Sequence, residues 1–227
     1  MIGVTENLTL ISDLLRESAI AANRDPAAVQ LLAVSKKQPV SKIREVHAAG
    51  QRDFGENFVQ EGLEKIEALA DLDLTWHFIG HLQSNKTRVV AENFDWVHTI
   101  DKIKTAGRLS EQRPAHLSPL QVCIQVNVDD EVSKHGVTPD AVAELAAACA
   151  GMPRLKLRGL MCLPAMREGF EEQRVPFATL RRLAADLRRD GIDTDTLSMG
   201  MTADYRAAIF EGATIVRIGT ALFGERR

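Results

Sequence analysis

The chain has 227 residues, 45% of them hydrophobic and 26% charged, with 28 Lys and Arg against 31 Asp and Glu and a formal net charge of -3. This is an ordinary balance for a globular protein with apolar surface enough for one sizeable core, and it offers no basic field of the kind that draws nucleic acid. No run of eighteen consecutive apolar residues occurs, which argues against a membrane span.

The N-terminal stretch lacks a basic leader and carries Glu6 and Asp13 early, so it reads as an amphipathic helix and not as a secretion signal. Beyond it, short apolar, β-branched runs alternate with helical patterns. Strands are expected at 31–35, 52–56, 76–80, 96–100, 120–127, 157–163, 196–200 and 214–219. Helices are expected between them, at 40–50, 59–72, 84–94, 101–112, 138–151, 176–191 and 201–213. Gly50 and Gly151 serve as stops; Thr138 reads as an N-cap with Pro139 at the first helical position. The patch at 163–176, bracketed by Pro164 and Pro176, reads as a mobile loop.

Eight strand–helix pairs fit a single (β/α)8 TIM barrel with an extra N-terminal helix better than an open doubly wound sheet. The eighth strand ends at Gly219 and the chain at Arg227, so residues 1–227 are expected to form one domain. Cys123, Cys149 and Cys162 make an odd set without CxxC spacing. They read as buried thiols of a reducing compartment, with no metal set implied, and the expected location is cytoplasmic.

A barrel carries its chemistry at the C-terminal ends of its strands. There the sequence places Ser35, Lys36 and Lys37, then Glu56 and Asn57, His77 and His81, Asn127, Ser198-Met199-Gly200, and Arg217 with Gly219-Thr220. The Ser/Gly turn after the seventh strand and the Gly219-Thr220 pair after the eighth suit an anion: small residues let backbone amides approach it. A lysine at ordinary pKa, about 10.4, is almost wholly charged at pH 7, so imine chemistry requires burial at the barrel mouth or a neighbouring cation. Lys36 shares strand parity with Leu32 and Val34, and Lys37 with Leu31 and Ala33; parity alone leaves the inward pair open. Arg217, set in an apolar strand, needs a partner, which is either a carboxylate such as Glu56 or a ligand.

The segments AVSKKQP, FGENFVQEG, WHFIGHLQSNK, VNVDDEVSKHG, LRGLMCLP, LSMGM and VRIGTALFG resemble, in this order and from about residue 5 to residue 225, the pyridoxal phosphate homeostasis (PLP-binding) proteins. That family is similar to the N-terminal half of alanine racemase, a fold-type III barrel. The resemblance implies pyridoxal 5'-phosphate (PLP) held as a Schiff base on Lys36. It further implies phosphate contacts from Ser198, Met199, Gly200, Gly219 and Thr220, with Arg217 at the pyridine nitrogen and Asn57 near the ring. A cation at that nitrogen makes the ring a weak electron sink. The expected function is therefore a non-catalytic PLP carrier in intracellular vitamin B6 homeostasis, serving PLP-dependent apoenzymes as a monomer. The alternative is a PLP-dependent amino-acid racemase or related enzyme. Tyr205 looks unsuited to be a second base, which leaves His77, His81 and Lys134 as candidate acids or bases.

Overall fold

The computed structural model describes residues 3–129, 131 and 135–224. Eight parallel strands close into a barrel in chain order: β1 (Gln30–Val34), β2 (Asp53–Glu56), β3 (Thr75–Phe78), β4 (Trp96–Ile100), β5 (Leu120–Val126), β6 (Leu155–Cys162), β7 (Thr196–Ser198) and β8 (Ile215–Ile218). Pairing of β8 with β1, from Gln30 opposite Ile215 to Ala33 opposite Ile218, completes the closure. A helix follows each strand: α2 (Val40–Ala48), α3 (Val59–Ala68), α4 (Thr87–Asn93), α5 (Ile103–Gln112), α6 (Val142–Ala150), α7 (Phe170–Arg189), α8 (Tyr205–Phe210) and α9 (Thr220–Phe223). The additional helix α1 (Val4–Ala21) buries Val4, Leu8, Ile11 and Leu15, one helical stripe, while Asn7 donates to the Leu222 carbonyl at 3.0 Å.

Period-two alternation divides the apolar residues into two cores. Ala33, Phe54, Trp76, Phe78, Val97, Leu160, Leu197, Val216 and Ile218 belong to the large cluster that also takes in the helices. Leu32, Ile79 and Ile215 form a separate small cluster, with Val34 and Trp96 packed against it, inside the barrel. Hence the inward parity of β1 is that of Leu32 and Val34, and the inward parity of β8 is that of Ile215 and Arg217. By the same alternation Asp53, His77, His98 and Ser198 also point inward, so the barrel interior is unusually polar for this architecture.

One local expectation is corrected. Residues 163–176 are not one long loop: α7 begins at Phe170, so the loop is 163–169, and Pro176 lies inside the helix. Gly169, at φ 85°, takes a turn that favours glycine and starts the helix there. Pro176 sits on the buried face with Phe177 and Leu180, while the residue whose carbonyl it deprives, Glu172, is exposed to water. The remaining loop is tied to β5's exit, where Asp129 accepts the Ala165 amide at 2.5 Å and Arg167 at 2.7 Å. Thr138 takes the N-cap position and Pro139 the first helical position as expected, without a side-chain cap bond; Pro139–Ala141 form a 3-10 turn leading into α6, which Gly151 ends as expected.

Gly80, just past β3, packs where a Cβ would lie 1.9 Å from the Asn57 carbonyl oxygen, and its own carbonyl accepts Thr99 Oγ1 at 2.6 Å. Gly80→Ala therefore has to displace backbone at the end of β2. It should lower unfolding free energy by about 3 kcal/mol, measured by urea denaturation.

Candidate functional site at the barrel mouth

The turn after β1 sorts the two lysines. Gln38 N donates to the Ser35 carbonyl at 3.0 Å, closing a turn in which Lys37 takes φ 58°. A left-handed lysine costs about 1–2 kcal/mol, and a buried polar hub holds it. The Lys37 amide donates to Glu61 Oε1. Lys65 of α3, 5% exposed, donates to the Ser35 carbonyl at 2.6 Å and to Glu56 Oε1 and Glu61 Oε1, each at 2.7 Å. Ser35 Oγ donates to Glu56 Oε1 at 2.6 Å. The turn sends Lys36 toward the barrel axis and leaves Lys37 exposed.

Glu56 is consequently the partner of Lys65 and not of Arg217. It shares parity with Phe54, on the outward side of β2 beneath α3, and cannot reach the interior. Its second oxygen is buried without a hydrogen bond. Burial, opposed by Lys65, pushes its carboxyl above the ordinary range.

A cavity of about 320 Å³ opens at the C-terminal mouth. Val34, Lys36, Asn57, Ile79, Met161 and Arg217 are among its lining residues, and Gly219, Thr220, Met201 and Thr202 stand on it too. Of the eight residues expected at the site, Lys36, Asn57, Arg217, Gly219 and Thr220 come together here; Ser198, Met199 and Gly200 do not line the cavity. The Met199 amide is spent on the Ile215 carbonyl at 3.0 Å, and the Gly200 carbonyl accepts Arg217 N at 3.0 Å. Gly200, at φ 92° with a hypothetical Cβ 2.6 Å from Ala208 Cβ, shapes the turn. What that turn presents to the cavity is Met201-Thr202, with Asp204 accepting the Met201 amide at 2.6 Å. Sequence reasoning finds the segment and stops short of the two residues that reach the cavity. The parity that turns Ser198 into the interior is fixed only by closure of the barrel, so no sequence signal gives it.

Arg217 is 4% exposed and pairs with no carboxylate among the described residues. Its guanidinium donates to the Ser198 carbonyl at 2.6 Å, to Ser198 Oγ at 2.7 Å and to the Cys162 carbonyl at 2.8 Å. Ser198 Oγ also lies 2.8 Å from His98 Nδ1; His98 Nε2 is 2.9 Å from His77 Nδ1, and His77 Nε2 is 3.1 Å from Asp53 Oδ1. His98 is fully buried, and burial, with His77 and Arg217 adding to it, holds its imidazole well below the ordinary range. Sequence reasoning misses His98, although an imidazole in an apolar strand needs a partner for the same reason as Arg217.

Asn57 Oδ1 is shielded from solvent and has no hydrogen-bond partner. A buried acceptor in that condition on the wall of a cavity suits a ligand donor. His81 and His135 stack at 3.8 Å and 13° outside the cavity, with Asp101 beside them. One ligand atom from each of the three lies within 4.8 Å of the others, close enough together to hold a cation. Burial and the charge of His135 lower the pKa of His81. Lys134 lies outside the described residues. No helix among the described residues is long and apolar enough to cross a membrane.

The family model for the alanine racemase N-terminal domain matches residues 16–227. The chain is 56% identical over 226 residues to the pyridoxal phosphate homeostasis protein of Pseudomonas aeruginosa, covering 100% of this chain and 97% of that one. It is 50% identical over 232 residues to the protein of the same name in Escherichia coli, covering 100% and 98%. Among solved structures, PipY of Synechococcus elongatus without PLP superposes with a TM-score of 0.87 at 38% identity, covering 97% of this chain and 100% of that one. PipY with PLP bound gives a TM-score of 0.80 at 39% identity, covering 92% and 100%. Alanine racemase from Corynebacterium glutamicum shares the fold, with a TM-score of 0.73 at 17% identity over 98% of this chain and 61% of that one.

Lys65→Met removes the hub and leaves Glu56 a buried, unpaired acid; the loss should be about 3–5 kcal/mol at neutral pH. Because the folded carboxyl is held above its ordinary 4.5, the folded state keeps a proton that the unfolded chain releases. Its contribution is full below that value and is lost as pH rises through the folded pKa. Without Lys65 this loss grows. The deficit of Lys65→Met relative to the parent should thus be larger at pH 8 than at pH 5 in urea unfolding, and adding Glu56→Gln should restore part of it.

Proposed function

This chain belongs to the pyridoxal phosphate homeostasis protein family, and on that premise we propose that it binds PLP reversibly at the barrel mouth, with Lys36 as the covalent anchor, and acts as a carrier of the cofactor. One observation supports the reading above the others: a single cavity joins an amine, Lys36, a buried guanidinium, Arg217, and the small polar rim of Thr202, Gly219 and Thr220. These groups fit the three parts of the cofactor in turn: its aldehyde, its ring nitrogen and its phosphate. The unpartnered Asn57 Oδ1 fits the same wall.

When bound, the cofactor supplies an aldehyde carbon and an electron-withdrawing ring. Lys36 would supply the amine that holds that aldehyde, reversibly and with the loss and return of one water. Arg217 would present a fixed cation to the ring nitrogen and so oppose its protonation, which would weaken the ring as an electron sink. Thr202 and Thr220 offer hydroxyls to the phosphate, and Gly219 admits a close backbone approach; a Cβ there would meet the Val34 carbonyl at 3.2 Å. Ser198, Met199 and Gly200 serve at one remove, Ser198 through Arg217 and the other two through the turn that presents Thr202.

The carrier reading is favoured over a racemase by what the cavity presents to a bound amino acid. Abstraction and return of an α-proton on opposite faces takes two bases. Among the described lining residues Lys36 is the one amine, and the rest of the polar set is amide, hydroxyl and guanidinium. Tyr205 packs against the outer core, and His77 is engaged inside the barrel.

Purified protein loaded with PLP should show a visible band that borohydride bleaches with covalent retention of the cofactor. Lys36→Ala should abolish the retained label, and Lys37→Ala should leave it at the parental level. Label that survives Lys36→Ala and vanishes in Lys37→Ala would reverse the assignment. Exchange of amino-acid α-protons in heavy water, followed by NMR, should remain orders of magnitude below the roughly 10 per second typical of enzymes; Lys36-dependent exchange near that rate would favour the racemase.

A further inference from the structure

The polar floor of the barrel runs without interruption from Arg217 to Asp53, across five strands' worth of interior positions. Its links are 2.7 Å from Arg217 to Ser198 Oγ, 2.8 Å from Ser198 Oγ to His98 Nδ1, 2.9 Å from His98 Nε2 to His77 Nδ1, and 3.1 Å from His77 Nε2 to Asp53 Oδ1. We propose that these residues form one hydrogen-bond chain with a single direction, that both imidazoles carry their proton on Nε2, and that His98 is thereby a positioning residue for Arg217.

The direction follows from what each end can do. An arginine only donates, so Ser198 Oγ must accept from it. The serine's own hydrogen then needs an acceptor, and among the described residues His98 Nδ1 is the one within reach. That nitrogen is therefore unprotonated, which puts the His98 proton on Nε2, facing His77 Nδ1. The same logic repeats: His77 Nδ1 accepts, and its proton sits on Nε2, facing Asp53. A carboxylate at the far end only accepts, so the chain is closed by a donor at one end and an acceptor at the other, with every member satisfied once. Reversing any one link puts two hydrogens in one contact and none in the next.

The consequence falls on Arg217. Three of its five N–H donors are engaged, two by Ser198 and one by the Cys162 carbonyl. Among the described residues no acceptor engages the other two, on a side chain that lines the cavity. A serine hydroxyl free to rotate could offer Arg217 its hydrogen instead of its lone pair; His98 removes that freedom. Packing supports the chain: His77 stacks on Trp96 at 5.2 Å and 12°, and Trp96 lies under Arg158 at 4.9 Å.

The effect on cofactor binding rests on the PLP reading above, whereas the tautomers do not. Two-bond proton–nitrogen spectra of the full-length, unloaded protein at pH 7 should show Nε2–H tautomers for both His77 and His98. An Nδ1–H ring or an imidazolium at either position overturns the chain. In PLP-loaded protein, His98→Phe deletes the acceptor for the serine hydroxyl; it should speed cofactor release about tenfold and shift the visible band. His98→Asn, whose side-chain oxygen restores an acceptor, should bring release back to within about twofold of the parent. A folded His98→Phe with parental release and an unmoved band overturns the positioning role, and so does His98→Asn behaving like His98→Phe. Should His98→Phe fail to fold, Ser198→Ala makes the same cut with less change in volume, and parental release in that variant equally overturns the positioning role. Protein that takes up no PLP ends the functional reading, and the tautomer spectra still decide the chain.

Discussion

A guanidinium buried in the barrel constrains everything near it. Arg217 sits on β8 with 4% of its surface exposed, between Ile215 and the mouth. Taking such a cation out of water costs several kcal/mol unless acceptors replace the water. The fold supplies them from three directions: the carbonyls of Cys162 on β6 and Ser198 on β7, and the Ser198 hydroxyl. The Asp204 carboxylate acts on the cation through its field alone, without an ion pair among the described residues, and none of these acceptors is charged. A carboxylate in the same place would have stabilised the arginine better and cancelled it for any ligand.

The lysine is governed by a different device. Closure of the barrel makes Leu32 and Val34 the inward residues of β1, and the next residue of that parity is Lys36. Continuation of regular strand past Val34 would carry Lys36 out of the barrel along its axis. The turn at Lys37 instead folds the chain back over the mouth, and the Lys65 hub offsets its strain. Two basic side chains thus face one cavity through unrelated means, strand alternation for Arg217 and a clamped turn for Lys36. Because the clamp lies beneath α3 and the arginine's acceptors lie inside the barrel, a change in one leaves the other in place.

Much of this is legible in the residues. Eight apolar runs locate every strand to within about two residues, since buried parallel strands are near-continuous apolar segments and the helices between them carry a clear stripe. The exceptions have local causes. Pro176 reads as a boundary because proline ends helices; here it falls on the buried face, and Gly169 begins the helix instead. Glu56 suggests itself as a partner for Arg217 because both are charged residues in apolar strands, yet parity, which only the closed barrel fixes, sends them to opposite sides of the wall. The same missing parity hides that Ser198 faces the interior and leaves Thr202 to reach the cavity. Lys36 cannot be told from Lys37 by pattern; the family resemblance separates them, and the turn geometry gives the physical reason.

The interior itself argues for a cofactor-holding role over a purely structural one. Small parallel barrels fill the axis with layers of branched apolar side chains, and Leu32, Val34, Ile79 and Ile215 follow that rule. Asp53, His77, His98, Ser198 and Arg217 break it on the same axis, at a cost in hydrophobic stabilisation that apolar residues of like volume would avoid. Departures of this kind from the pattern that best stabilises a fold concentrate at functional sites. The departure here has a direction: each polar group on the floor leans on the next, and the last of them, Arg217, is the one that meets the cavity. Alanine racemase shows that the barrel alone does not choose a chemistry. In this chain a cation is fixed on one wall of the cavity and an amine stands on another, and the proposed carrier role rests on how those two are presented.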